Sequence, residues 1–564
     1  MTGRARRSPH RLLRATSFQR PPARSGAVLP LALLVVALLA LAARAFVDLM
    51  SVEAVAVTRG VERRQLRLAA ESGIEYLAAM LDARKSSSMA LKESDPNIGS
   101  LGQSNPDIRF EFGRTSSDRS DRKDGFPAVD ESSKLNLLSL PLKADQRRAS
   151  RTRLMALPGM EESIAEAILD WMDADDTPSS LGAESEWYAS RKSRVLPAQR
   201  PLETLDELLL VRGVTPELLY GRADDSTPDF MSESAIARSA SGGWANLLTL
   251  WSGESNLRVD GGSKIHLNQP DLVQLFDQLE TAFGEEAARF VVAYRLNGDL
   301  EGSDPLRTSD APASDSKADT GPLDDKLEEA RLRAAEQQAE PGEESAEAPA
   351  AQDNGKRRGG LDLGRRAAYS IRSVWDLIGS KVRIDVDGLD SVLESPWKSD
   401  LGVVAQTESM LEDAFSPVAS ARLVGRVRLD TATPFVLNSI PGMSPELVER
   451  IVIARSRQRG RLDGLSPAWL LTEGLCDLQR LREVAPYLTR RGQVWSGVVR
   501  GVTTESTARV VALEFILDGT QVPSRLVELR DVNLFESPRR RAAAARRDSV
   551  GDDELDDFAG GTMR

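Results

Sequence analysis

From residue 28 to residue 84 the chain contains a single proline, Pro30, and no cluster of turn residues. A first-turn proline costs a helix little. Leu66, Ala69, Ala70, Ile74, Leu77 and Leu81 recur at three- and four-residue steps. One continuous helix over about 28–84 is therefore expected, and whatever else the chain forms must be built around it. Its first part, 27–43, is a run of seventeen uncharged, mostly apolar residues. As a helix that run spans about 26 Å, slightly short for a membrane crossing and long enough for a signal sequence. Seven arginines and no acid precede it. That is the charge asymmetry which leaves the following chain outside the cytoplasm. Cleavage after the small residues Ala43 or Ala45 would give an ordinary exported protein. The uninterrupted helical pattern beyond Phe46 argues instead for an anchor that continues into a stalk.

Composition narrows the chemistry. Among 564 residues there is one cysteine, Cys476, and there are two histidines, of which only His266 lies outside the leader. Intramolecular disulfides and cysteine metal clusters are excluded, and histidine-rich zinc sites and Ser/His/Asp hydrolysis are disfavoured. No phosphate-cradling glycine loop, nucleophile elbow or paired-histidine helix is present, so no enzyme is expected. The formal net charge of −12 becomes −19 without the leader's seven arginines, a poor balance for gripping a phosphate backbone.

Three segments share one layout: "KLNLLSL" followed by "RLMALPGMEESIAEAILDWMDADDTP", "KIHLNQPDLVQLFDQLETAFGEEAARFVVAYR", and "VRLDTATPFVLNSIPGMSPELVERIVIAR". Each reads as a short strand, a helix, a tight turn and a second helix, with a smaller helical piece downstream. Those pieces are "LETLDELLLVRGVTPELL", "SIRSVWDLIGSKVRI" and "LSPAWLLTEGLCDLQRL". The third copy resembles a helix-hairpin-helix element, whose bare backbone turn offers N–H groups to a DNA phosphate. Glu161 and Ser444 stand where that element carries its second glycine, and the second copy's turn holds Glu285 and Glu286. The third copy has Arg450, Arg455, Arg457, Arg459 and Arg461 close behind it. A membrane-anchored periplasmic DNA-binding protein is therefore the alternative reading.

Asp170, Asp173, Asp175 and Asp176 crowd an expected helix C-terminus, where the helix dipole already disfavours negative charge. Glu184 and Glu186 follow across a short loop. A hard cation with oxygen ligands would relieve the repulsion, although the spacing is not that of an EF-hand. Arg191, Lys192 and Arg194 are the other available countercharge, and a solvated acidic loop is the plain reading.

The leader ending at Gly26, the apolar helix continuing into a stalk, and "ILDWMDADDTPSSLGAESEWY" with "VDESSKLNLLSL" before it resemble the minor pseudopilin K family of type II secretion systems. The resemblance implies prepilin-type cleavage between Gly26 and Ala27, and calcium bound by the protein. It also implies a place at the tip of a pseudopilus, initiating or capping its assembly. Most pilins carry a glutamate at the fifth mature position; Leu31 stands there, as is similar in pseudopilin K. Implied partners are other minor pseudopilins, the inner-membrane assembly platform and the prepilin peptidase, with secreted cargo as a further contact.

The strands expected are "DIRFEFG" (107–113), "VWSGVVRGV" (494–502), "ARVVALEFIL" (508–517) and "SRLVELRDV" (524–532), with Asp518-Gly519 as a hairpin turn. Residues 301–354 hold fifteen acids against five bases and few large apolar residues, the composition of a disordered linker. The expected chain is α+β, with a long membrane and stalk helix on a pilin-like antiparallel sheet and inserted helix-hairpin-helix-like modules. In order these are a leader (1–26), the transmembrane and stalk helix (27–84), and a pilin-like strand with the first module (105–240). The second module (241–300), an acidic linker (301–365), the third module (366–490), C-terminal strands (491–536) and a tail (537–564) follow. The leader would lie on the cytoplasmic side of a bacterial inner membrane and the bulk of the chain in the periplasm.

Overall fold

The computed structural model describes residues 28–86, 108–113, 128–143, 145–190, 196–197, 199–221, 243–300, 357–386, 389–457, 464–503 and 510–532. The leader, the acidic linker up to residue 356, the tail, and Gly26 and Ala27 lie outside these residues; 357–365 of the linker are described, with strands at Arg357–Arg358 and Leu361–Asp362. Helix α1 runs Val28–Ser86, as the unbroken pattern predicts. Two compact units divide at Gln65 and Leu66. In the first, the side chains from Leu29 to Val61 are almost all exposed, among them Leu31, Leu39, Phe46 and Val52. Among the described residues α1 is the one helix long and apolar enough to cross a membrane.

In the second unit the later turns of α1 lie on a sheet. Its strands are β1 (Ile108–Gly113), β2 (Val129–Asp130), β3 (Val494–Thr503), β4 (Val510–Asp518) and β5 (Arg525–Asp531). All pairs are antiparallel, in the order β1-β3-β4-β5, and β2 pairs with β3 beside Trp495 and Ser496. Val511, Leu513, Phe515 and Leu517 alternate along β4 and meet Leu66, Ala70, Ile74, Leu77 and Leu81 of α1 in one cluster. Period two on the strand and period 3.6 on the helix each supply one apolar face. Four expected strands are present; β2 has too few residues to leave a periodic trace. The Asp518-Gly519 turn is longer than a two-residue hairpin, because β5 begins only at Arg525. The Asp518 side chain instead accepts from the Thr520 N–H at 2.8 Å and turns the chain locally.

The helix and β3 come so close that a Cβ on Gly501 would lie 1.9 Å from the Leu66 carbonyl oxygen. Backbone cannot yield as a side-chain tip can. Gly501→Ala is expected to destabilise the unit by about 3 kcal/mol through overpacking. An unchanged urea midpoint for the full-length variant would show that the approach is looser than this.

Between β2 and β3 stand the three modules. The first opens with a strand at Leu135–Asn136 and continues into α2 (Arg147–Leu154) and α3 (Glu162–Met172). The second opens at Ile265–His266 and continues into α4 (Leu272–Phe283) and α5 (Glu285–Asn297). The third opens at Val427–Arg428 and continues into α6 (Pro434–Asn438) and α7 (Pro445–Arg457). Gly159 and Gly442 take φ of +67° and +81° at the turns, a region in which a side chain would be strained.

Each opening strand is closed by a later one running parallel to it: Leu248–Thr249, Phe415–Ser416 and Leu488–Thr489 respectively. Each closing strand ends in a hydroxyl that accepts the N–H two residues on, at 3.0 Å for Thr249, 3.2 Å for Ser416 and 3.0 Å for Thr489. The same short turn thus follows every closure.

One further expectation changes. The downstream piece of the second module holds a short helical turn, Val374–Asp376, and then a β-hairpin of Lys381–Val386 with Leu389–Glu394. Val382 and Ile384 alternate with Lys381, Arg383 and Asp385, so strand periodicity prevails over the helical reading. All three modules share one apolar core, in which Trp171, Trp244, Trp375, Phe276 and Phe290 are fully buried. Trp244 donates its indole N–H to the Pro158 carbonyl at 2.9 Å, and Trp251 packs half-buried at the rim, as core and rim aromatics should.

Candidate metal centre

Helix α3 presents Glu166, Asp170 and, just past its end, Asp173 toward the first turn of α2, and all three are buried. The following loop returns Glu184 to the same place, 2% exposed. One carboxylate oxygen from each of Asp170, Asp173 and Glu184 can be chosen so that all lie within 4.8 Å of one another. Burying three carboxylates side by side is unfavourable unless a positive charge joins them.

Part of that charge comes from Arg147. Its Nε donates to Glu166 Oε2 at 2.9 Å and its Nη1 to Asp173 Oδ2 at 2.6 Å, while Nη2 is paired with Asp170 Oδ1 and donates to the Glu166 carbonyl at 3.2 Å. Arg151 adds a contact to Glu166 Oε1 at 3.1 Å. The remaining Asp170 oxygen, Oδ2, accepts from the Ser179 N–H and hydroxyl, each at 3.3 Å. Asp173 Oδ1 and both oxygens of Glu184 are buried without a hydrogen-bond partner.

The loop is held by the residues around it. Arg212 donates its Nη1 to the Gly182 carbonyl at 2.8 Å and its backbone N–H to the Tyr188 hydroxyl at 3.1 Å. Its guanidinium also lies 5.5 Å from the Trp187 ring centre. Tyr188 packs edge-on against Trp171, with ring centres 5.2 Å apart. A Cβ on Gly182 would fall 1.7 Å from Asp170 Oδ2, so only glycine lets the loop close over that carboxylate.

Electrostatics follow the geometry. Burial, together with the charges of Asp170, Asp173, Asp176 and Asp175, pushes the Glu184 carboxyl up to about 8. Burial also raises Asp170 and Asp173, against the pull of Arg147. Asp176 is exposed and shifted down by its hydrogen bonds from Ser185, whose N–H is 3.1 Å away. Asp175 is exposed and accepts from the Thr177 N–H at 2.9 Å. Glu186 is exposed on Ser185–Ala189.

Of the six acids singled out in the sequence, the structure brings together Asp170, Asp173 and Glu184 and leaves Asp175, Asp176 and Glu186 facing solvent. Arg191, Lys192 and Arg194 lie outside the described residues. The countercharge present is Arg147, which the sequence reading passed over. Its signal was there: an arginine at the head of α2, whose hairpin partner α3 carries acids four and three residues apart, at 166, 170 and 173.

At the third module's hairpin, the Ser444 hydroxyl accepts from the Leu447 N–H at 3.3 Å. Arg450 is turned onto the Leu475 carbonyl, and Arg455 donates to the Ala432 carbonyl at 2.7 Å. Arg455 is the eleventh residue of α7, as Arg295 is of α5, and Arg295 likewise donates to carbonyls of its own module. These two arginines fasten helices rather than face outward. Arg459 and Arg461 lie outside the described residues.

Residues 133–221, the first module with its acidic cluster, match the family described as type II secretion system (T2SS), protein K. No curated protein matches the chain.

Proposed function

From the match of residues 133–221 to the type II secretion system protein K family, we propose that this chain is a minor pseudopilin of a type II secretion pseudopilus. The family match is the observation that carries the reading. The exposed apolar part of α1 supports it, because such a surface needs lipid or neighbouring helices around it. The later turns of α1 lying on an antiparallel sheet agree with a pilin-like head. The chain's task is then structural: it waits in the inner membrane by a single helix, with its head in the periplasm. It enters the filament at the tip, where it initiates or caps assembly beside other minor pseudopilins on the assembly platform. Leu31 in place of the usual glutamate suits a subunit with none above it. The modules form a broad head suited to meeting secreted cargo.

Calcium is the cation we assign to Asp170, Asp173 and Glu184. The donors are all hard oxygens, and Asp173 Oδ1 with both Glu184 oxygens lack other partners, so the residues fit such an ion. Its charge would relieve the repulsion among these carboxylates and hold the 174–184 loop against α3.

The N-terminus of the protein isolated from its native membrane tests the reading. Prepilin processing gives a chain starting at Ala27, with a methylated amine. A start at Phe46 would make this an ordinary exported protein, and an intact Met1 a permanent anchor; either result removes the pseudopilin assignment.

A further inference from the structure

We propose that Arg147 is the positioning residue of the cation site, holding one oxygen of Asp170 and one of Asp173 so that their other oxygens are presented beside Glu184. This rests on reading Asp170, Asp173 and Glu184 as a calcium site. The atoms divide cleanly. Arg147 engages Asp170 Oδ1 and Asp173 Oδ2, while Asp173 Oδ1 and both Glu184 oxygens are unengaged and Asp170 Oδ2 accepts from Ser179. The guanidinium and the unengaged oxygens therefore do not compete for the same atoms.

The fork is itself immobilised. Its Nε is tied to Glu166 Oε2, whose other oxygen is tied to Arg151. A planar guanidinium with several fixed donors sets the orientation of two carboxylates at once, which an ammonium cannot do.

Arg147 and Arg151 offset only part of the negative charge of Asp170, Asp173, Glu184 and Glu166, since Arg151 is shared with Glu162 at 2.7 Å. The excess that remains is what a bound cation would offset without requiring Arg147 to leave. Residues that orient ligands from behind typically change metal affinity by about 10–100-fold when replaced.

The test uses the full-length chain in detergent, with calcium titrated calorimetrically. Terbium luminescence excited through Trp171 and Tyr188 supplies a second readout of the same site. Arg147→Gln is expected to weaken calcium binding about tenfold or more while leaving the circular dichroism spectrum unchanged. Arg147→Lys, which keeps the charge but loses the fork, should fall between wild type and Arg147→Gln. Should the glutamine variant not fold, the lysine variant alone decides, since affinity equal to wild type overturns the proposal. Tighter binding by Arg147→Gln also overturns it, by making Arg147 a competitor for the carboxylates. Absence of calcium binding by the wild-type chain removes the calcium reading itself, and the proposal with it.

Discussion

Arg428→Ala is expected to destabilise the head by about 3–5 kcal/mol, the range found when one member of a buried ion pair is removed. Arg428 opens the third module and is buried, with Nη1 donating to Asp130 Oδ2 at 2.9 Å and Nε to Asp430 Oδ1 at 2.9 Å; Nη2 completes a two-point contact with Asp430. Asp130 belongs to β2, so this one guanidinium joins the sheet to the third module. Its removal leaves Asp130 with the Ser132 N–H at 2.8 Å, and Asp430 with the Gly464 N–H at 3.0 Å.

The deficit should depend on pH. Burial pushes Asp130 up to about 6 against the opposing pull of Arg428. A carboxyl raised in the folded state favours folding below its unfolded value, near 4, and that contribution is lost as pH rises through the folded value. Without Arg428 the folded value rises further, so more is lost. The gap between wild type and variant should therefore widen from pH 5 to pH 8 in urea titrations. A gap under about 1 kcal/mol at pH 8 would show that this contact does not hold the sheet to the module.

The second large effect belongs to Glu184. With calcium chelated, the melting temperature should fall as pH rises from the ordinary carboxyl value of 4.5 to about 8, because over that range Glu184 beside Asp170 and Asp173 keeps its proton in the folded chain and loses it on unfolding. The contribution of Asp130 is fully lost by about 6, so of the two only Glu184 acts between about 6 and 8. Calcium should raise the melting temperature more at pH 9 than at pH 6, because the ion takes the ionised form. Glu184→Gln is expected to flatten the pH dependence and to remove most of the calcium response. Equal calcium shifts in wild type and Glu184→Gln, across the whole window, would mean that Glu184 is not a ligand.

The helix Val28–Ser86 was legible because nothing interrupts its period across 59 residues. β3 and β4 were legible because they are rich in β-branched and apolar residues, and β5 because its apolar residues are short-spaced between charged ones. The two-residue closures at Leu248–Thr249, Phe415–Ser416 and Leu488–Thr489 were not, since two residues carry no period and their partners lie far away in sequence. The first four residues of the Lys381–Val386 strand close the segment "SIRSVWDLIGSKVRI", whose helical turn hides their own alternation. At the candidate centre, crowding of acids pointed to the loop in which Asp170, Asp173 and Glu184 come together. Which of them turn inward depends on where α3 ends and on Arg212 and Tyr188, which steer the loop from outside the acidic run. A charge partner such as Arg147 becomes apparent only once α2 and α3 are placed antiparallel.

The sheet has its own history in time. Glu131 and Ser496, joined by a hydrogen bond, stand 365 residues apart in the chain. β1 and β2 emerge from the ribosome early, yet β3, which pairs with both, and β4 and β5 beyond it emerge almost last. During synthesis the apolar stripe of Leu66, Ile74, Leu77 and Leu81 therefore lacks the β4 face that later covers it. Closing so long an intervening segment is entropically slow to reach, though its added cost grows only with the logarithm of length. The modules can pack first and shorten the effective gap, since each draws its own two ends together by a parallel closure. A chain stopped before residue 494 would then carry folded modules on an uncovered stalk, a species that quality-control proteases should recognise by its bare helix.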